Sequence, residues 1–274
     1  MKGVVLLIPA FLLTASVCPR AQSAPPSQQT PGIDPEALIE QILTVEAKQR
    51  LEIADVVFDA ECITGSIEND GSFEEEKRFI KKVCMKYLPD TIQYRVKYLA
   101  CYKGGEIQKP EECDKEAVRQ AEMKARRKTR DISYPTLSPF YPEHRDQYEI
   151  IYEGVAADRI DGYTCHHFRV QSKEERSDRV SGDYYFEAAS FNLVKVDFSP
   201  AKLEKGAMFT LDVLNMSIMY GPTPQGWWLP RRFQVEGKSR TALLIGVKFA
   251  TTEYYRNPQV NTGLKAEAFE ANND

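Results

Sequence analysis

The chain has 274 residues, with 36 lysines and arginines against 40 aspartates and glutamates, a formal net charge of −4. Both signs are mixed along its length, so there is no electrostatic reason for a nucleic-acid partner.

Lys2 precedes an apolar run over residues 4–17, and Ala21-Gln22-Ser23-Ala24 follows it. A short positive start, an apolar stretch of about 14 residues and small residues at −3 and −1 make a secretory signal peptide. The cut is placed after Ser23, so residues 1–23 are signal and the mature protein is expected in the periplasm. The run falls short of the roughly 20 apolar residues of a membrane-spanning helix. No later segment could cross as a helix, so no transmembrane segment is expected in the mature chain. Cys18 offers an alternative location, lipid anchorage after cleavage before that cysteine. Residues 24–32 are rich in Pro, Ser and Gln and read as a flexible tether. Residues 33–258 form one domain, and residues 259–274 a frayed polar tail.

Asp34 can cap a helix with Pro35 at its first position and Ile33 stapled against Leu38. Leu38, Ile39, Ile42 and Val45 recur at helical spacing, and the helix is expected to end near residues 48–50. Strands follow. Residues 54–67 are rich in Val, Phe and Ile, and Asn69-Asp70-Gly71 is a hairpin turn signal. The return strand puts Phe79, Val83, Met85 and Tyr87 on one face. After Pro89-Asp90, Ile92, Tyr94, Val96 and Tyr98 alternate with Gln93, Arg95 and Lys97, the pattern of a sheet buried on one side and wet on the other. Residues 111–130 favour helix through Lys, Glu, Ala and Arg, and residues 132–142, with three prolines, read as a loop.

The second half is a series of hairpins: residues 148–152, 163–170, 184–186, 193–198, 209–220, 227–229, 231–237 and 242–255. Cys62, Cys84, Cys101, Cys113 and Cys165 remain after cleavage. Cys101 and Cys113 flank the Lys103-Gly104-Gly105 loop and are the first candidate disulfide, which an oxidising compartment permits.

Catalytic motifs are missing: no G-x-S-x-G, H-E-x-x-H, P-loop or G-x-G-x-x-G occurs. His166 and His167 are neighbours on a strand and face apart, which argues against joint metal ligation and against Cys165 with His166 as nucleophile and base. No metal, cofactor or enzymatic activity is expected; an unrecognised hydrolase is the third-ranked reading. What the sequence does concentrate on strand faces is large apolar side chains. The candidate walls of an apolar ligand site are Tyr94, Val96, Tyr98, Leu214, Met216, Ile218, Trp227 and Trp228.

Tyr152-Glu153-Gly154, Ile160-Asp161-Gly162-Tyr163, Tyr184-Tyr185-Phe186-Glu187 with Leu193-Val194-Lys195-Val196, and Gly226-Trp227-Trp228-Leu229-Pro230 follow in succession. With the Tyr102-Lys103-Gly104-Gly105 hairpin, this resembles periplasmic outer-membrane lipoprotein-sorting proteins of the LolA/LolB-like superfamily. The resemblance covers roughly residues 34–255. It implies a mainly β fold with some α: a curved antiparallel sheet forming an open half-barrel, covered by the N-terminal helix and the inserted helix. It also implies an apolar interior that holds acyl chains. The function expected is that of an exported carrier shielding a lipid or lipoprotein acyl chain. The alternative is an envelope sensor or scaffold that binds a protein partner through a sheet edge or the inserted helix.

Overall fold

The computed structural model describes residues 33–88, 92–113, 115, 137–203, 209–241 and 245–265. The expected signal and tether, Cys18, Pro89-Asp90 and most of the helix expected over 111–130 lie outside them.

Helix α1, Pro35–Glu52, starts where the sequence places it: Asp34 Oδ1 accepts from the Glu36 amide at 3.0 Å, and Pro35 opens the first turn. Among the described residues eleven strands follow: β1 Asp55–Ile67, β2 Phe73–Tyr87, β3 Ile92–Lys103, β4 Glu106–Ile107, β5 Tyr148–Val155 and β6 Cys165–Ser172. The rest are β7 Val180–Glu187, β8 Leu193–Pro200, β9 Phe209–Pro222, β10 Trp228–Thr241 and β11 Ile245–Val260. They form one sheet in the order β4-β3-β2-β1-β11-β10-β9-β8-β7-β6-β5. Every pairing is antiparallel. The sheet stays open, with β4 and β5 at opposite edges, and so makes a half-barrel.

Side chains alternate between an inner face, which α1 covers in part, and an outer face. Two main cores fill the inner side. The first gathers Leu38, Ile39 and Ile42 of α1 with Phe168, Val170, Tyr184, Phe186, Val196 and Phe198. Each fully buried aliphatic side chain there contributes about 1.5–3 kcal/mol. The second holds Ile53, Val56, Phe58, Ala60, Val83 and Leu229. Gln49 ties α1 to the sheet near the second core: its amide donates to the Trp228 carbonyl at 2.9 Å and accepts from the Trp228 N–H at 2.7 Å.

Several boundaries differ from the expectation. The segment expected as a loop over residues 132–142 holds a 3-10 turn, Ser138–Phe140, which buries Phe140, and a helical turn, Pro142–Arg145, begins where it ends. The two strands expected over 227–229 and 231–237 are one strand, β10, which starts at Trp228, because a register shift between Pro230 and Arg232 accommodates the proline. The first residues of the expected frayed tail, 259–264, are held instead. Asn257 adopts φ 50°, and the register slips between Val57 and Asp59, so a bulge carries Pro258 inside β11.

Beyond β11 the chain is clasped to the start of β1. Asn261 accepts from the Ala54 amide and donates to the Glu52 carbonyl. The buried Asp55 carboxylate accepts from Thr262 N at 2.7 Å, Thr262 Oγ1 at 2.6 Å, Gly263 N at 2.9 Å and Leu264 N at 3.1 Å. Burial pushes the Asp55 carboxyl up, but these donors outweigh it and hold the group below the usual carboxylate range. A carboxyl depressed by folding stabilises above its unfolded value, near 3.9, and loses that contribution as pH falls through its folded value. We therefore expect Thr262, Gly263 and Leu264 amides to exchange faster once pH drops below about 4. Asp55→Ala is expected to cost about 2–3 kcal/mol at neutral pH and to remove that acid dependence. Exchange rates that ignore both changes would show that the clasp does not hold the terminus.

Candidate functional site

The inner face between the two cores is the candidate site. Cross-strand partners share a face, so the register defines its rows. One row runs Phe168, Tyr184, Val196, Ile218, Phe233, Glu253 and Cys62 across β6 to β1. Its neighbour runs Phe198, Met216, Val235, Thr251 and Thr64. At the β5–β8 end these rows are sealed under α1. Across the middle of β9 and β10 they are not: Met216, Ile218, Phe233 and Val235 remain partly exposed. Further along, the ring of Phe249 lies over Gly237, where no Cβ would fit, and Leu214 pairs with Gly237 from β9.

The sequence candidates share this face but not one place on it. Leu214, Met216 and Ile218 form its centre on β9. Tyr94, Val96 and Tyr98 sit on β3, opposite Met85, Val83 and Lys81 of β2. Five strand spacings separate β3 from β9, roughly 24 Å at about 4.8 Å each. Trp227 packs against the second core, and Trp228 lines a hollow under α1 and meets the Tyr163 ring at 5.1 Å. That hollow is lined by Ile42, Val45, Gln49, Phe191, Tyr220 and Trp228, and its volume is about 80 Å³. Ligand pockets run to roughly 300–1,000 Å³. Among the described residues, the hollow under α1 is smaller than an acyl-sized cavity, and the apolar wall beside it is open.

Two site residues escaped the sequence reading. Lys81 and Glu253 stand on the inner face, and Lys81 Nζ meets Glu253 Oε2 at 3.0 Å. Lys81 is 7 % exposed and Glu253 9 %. Burial pulls the Lys81 ammonium down, but Glu253, with help from Cys62 and Tyr98, leaves it above the usual lysine value. Glu253 Oε1 is buried and has no hydrogen bond of normal geometry to a described residue. Burial, then the Glu253 charge, pushes the Cys62 thiol up to about 11, so it stays protonated at neutral pH.

The outer face is polar. Lys195 pairs with Asp197, His167 with Asp183 at 2.8 Å, and Arg169 with Glu153 and Asp183. Arg169, Asp183, Lys195 and Asp197 border an open depression of about 690 Å³, which Arg232 and Gln234 also line.

His166 and His167 do face apart: His166 Nδ1 bonds the Tyr152 hydroxyl on the inner side, whereas His167 is outside. Burial lowers His166 below the usual histidine value. Cys165 is buried, and burial, then Glu187, raises its thiol to about 11. Cys101 and Cys113 form a disulfide with Cα atoms 5.6 Å apart, while Cys62, Cys84 and Cys165 are free. No group of three or more metal-ligating side chains occurs among the described residues. Among them, too, no helix is long and apolar enough to cross a membrane.

The architecture is thus an open antiparallel half-barrel with a largely apolar inner face. Solved structures match it at low identity. An outer-membrane lipoprotein-sorting protein domain from Vibrio parahaemolyticus is 12 % identical with a TM-score of 0.45, over 84 % of this chain and 97 % of that one. A LolA superfamily protein from Nitrosomonas europaea is 11 % identical with a TM-score of 0.37, over 85 % and 97 %. The MucA/MucB complex of Pseudomonas aeruginosa contains a chain 10 % identical with a TM-score of 0.25, over 80 % and 94 %. No protein-family model and no curated protein matches the sequence.

Proposed function

We propose that this is an exported binding protein that shields the acyl chain of a lipid or lipoprotein on the inner face of its half-barrel. One observation carries the reading: Met216, Ile218, Phe233 and Val235 form a contiguous apolar strip that the cores leave partly exposed. Transferring hydrocarbon from water to such a wall gains about 0.8 kcal/mol per buried methylene. An open wall also suits a carrier, because cargo held along a groove is released without unfolding a closed pocket. The reading goes with export through the expected signal peptide over residues 1–23.

Mass spectrometry of natively extracted protein is expected to show co-purified lipid, and delipidated protein should bind a fluorescent fatty acid. Met216→Glu sets a charge in the strip without emptying either core. It should weaken binding by about tenfold or more, a loss of at least about 1.4 kcal/mol, with little change in melting temperature. The reading fails if the delipidated protein takes up no fatty acid yet captures one defined envelope protein, or if Met216→Glu binds as tightly as the parent.

A further inference from the structure

A charged pair at the end of an apolar strip needs a reason. Buried ion pairs are seldom worth more to stability than the apolar residues that could replace them. This one is also incomplete: the Tyr255 hydroxyl stands beside the Glu253 carboxylate, yet Oε1 itself is buried with no hydrogen bond of normal geometry to a described residue, an arrangement that costs free energy until something supplies a donor. The pair belongs to the strip, because Ile218, Phe233 and Glu253 follow one another along a single cross-strand row. Lys81 completes it from β2, next to Tyr98 of β3. A chain lying along Ile218 and Phe233 therefore brings its head to Glu253 and Lys81.

We propose that Lys81 and Glu253 receive the uncharged, hydroxyl-bearing head group of a long-chain lipid, an assignment that rests on the chain-binding reading above. A hydroxyl is both donor and acceptor at one oxygen. It donates its proton to Glu253 Oε1 and accepts from the Lys81 ammonium, which keeps N–H groups beyond the one aimed at Glu253 Oε2. The two protein charges already neutralise each other. A carboxylate head would add a third charge beside Glu253, and an ammonium head one beside Lys81, each stripped of water in a buried site. The geometry thus selects neutral heads over either ion.

Oleyl alcohol, oleic acid and oleylamine share one hydrocarbon chain and differ only at the head. Each is titrated against Nile red bound to the delipidated mature protein at neutral pH. Oleyl alcohol is expected to bind at least about tenfold more tightly than the acid or the amine, about 1.4 kcal/mol. The double variant Lys81→Met/Glu253→Leu keeps an apolar wall but removes both partners of the hydroxyl, so it should bind the alcohol at least about tenfold more weakly than the parent, with binding of octadecene, which has no head group, unchanged. Glu253→Gln retains the shape but leaves the Lys81 ammonium uncompensated, which gives a second readout: the preference for the alcohol over the acid falls, and that over the amine rises. Equal binding of all three ligands by the parent protein overturns the assignment, as does alcohol binding that is undiminished in the double variant. Failure of every ligand to displace Nile red sinks the chain-binding reading instead.

Discussion

Lys81→Met alone should destabilise the protein by about 3–5 kcal/mol, whereas Lys81→Met combined with Glu253→Leu should be neutral or more stable than the parent. The asymmetry follows from burial. Nζ and Oε2 are 3.0 Å apart, and both residues are more than nine-tenths buried. Removing the lysine leaves a carboxylate inside the sheet without its counter-charge, and the Tyr255 hydroxyl beside it does not replace that charge. Removing both charges leaves methylenes beside Phe79, Val83 and Tyr98, neighbours an aliphatic side chain packs against readily. Denaturant melts of the two single variants and the double variant close a thermodynamic cycle. A coupling energy under about 1 kcal/mol would show the pair to be as wet as a surface ion pair. The pH dependence has a fixed sign. Folding raises the Lys81 value, so its contribution is complete below the unfolded lysine value, near 10.4. It disappears as pH climbs through the folded value. The parent should therefore lose stability in strong alkali, and the double variant should lose less.

The alternation of Tyr94, Val96 and Tyr98 with Arg95 and Lys97 showed which side of β3 faces inward, and local periodicity was enough for that. The same rule places Lys81 with Phe79 and Val83, but a lysine on a buried row looks like an error in the pattern until its partner is known. That partner lies on β11, 172 positions away (253 minus 81), and no single-sequence rule joins them. Prolines misled the boundaries for a related reason. Pro230 and Pro258 punctuate the sequence as strand breakers, yet each falls at a bulge where the ladder does not ask for its N–H. The extent of the hollow under α1 was equally out of reach, since it depends on how far Phe191, Tyr220 and Trp228 fill the space.

Phe140→Ala should cost about 3–5 kcal/mol, the range for a large aromatic removed from a core. The ring is fully buried although it sits in a proline-rich connection. Three aromatic rings meet it edge-on: Phe168 at 5.7 Å, Tyr184 at 5.1 Å and Phe186 at 5.5 Å. Those rings belong to β6 and β7, so Phe140 is the plug that joins the connection between the two halves of the sheet to the first core. The turn is also held from outside. Arg145 donates to the Phe140 carbonyl through Nε at 3.3 Å and Nη2 at 3.0 Å, and its Nη1 meets Glu36 of α1. For a domain of this size each kcal/mol shifts the melting temperature by about 2–4 °C, so the drop should be about 10 °C. Phe140→Leu, which refills much of the volume but offers no ring edge, should recover roughly half of the loss. Glu36→Ala, which cuts only the half-exposed ion pair, should cost under about 1 kcal/mol. A Phe140→Ala protein melting within about 2 °C of the parent would mean that the core closes over the gap. α1 and the β6–β7 hairpin would then hold together without the plug.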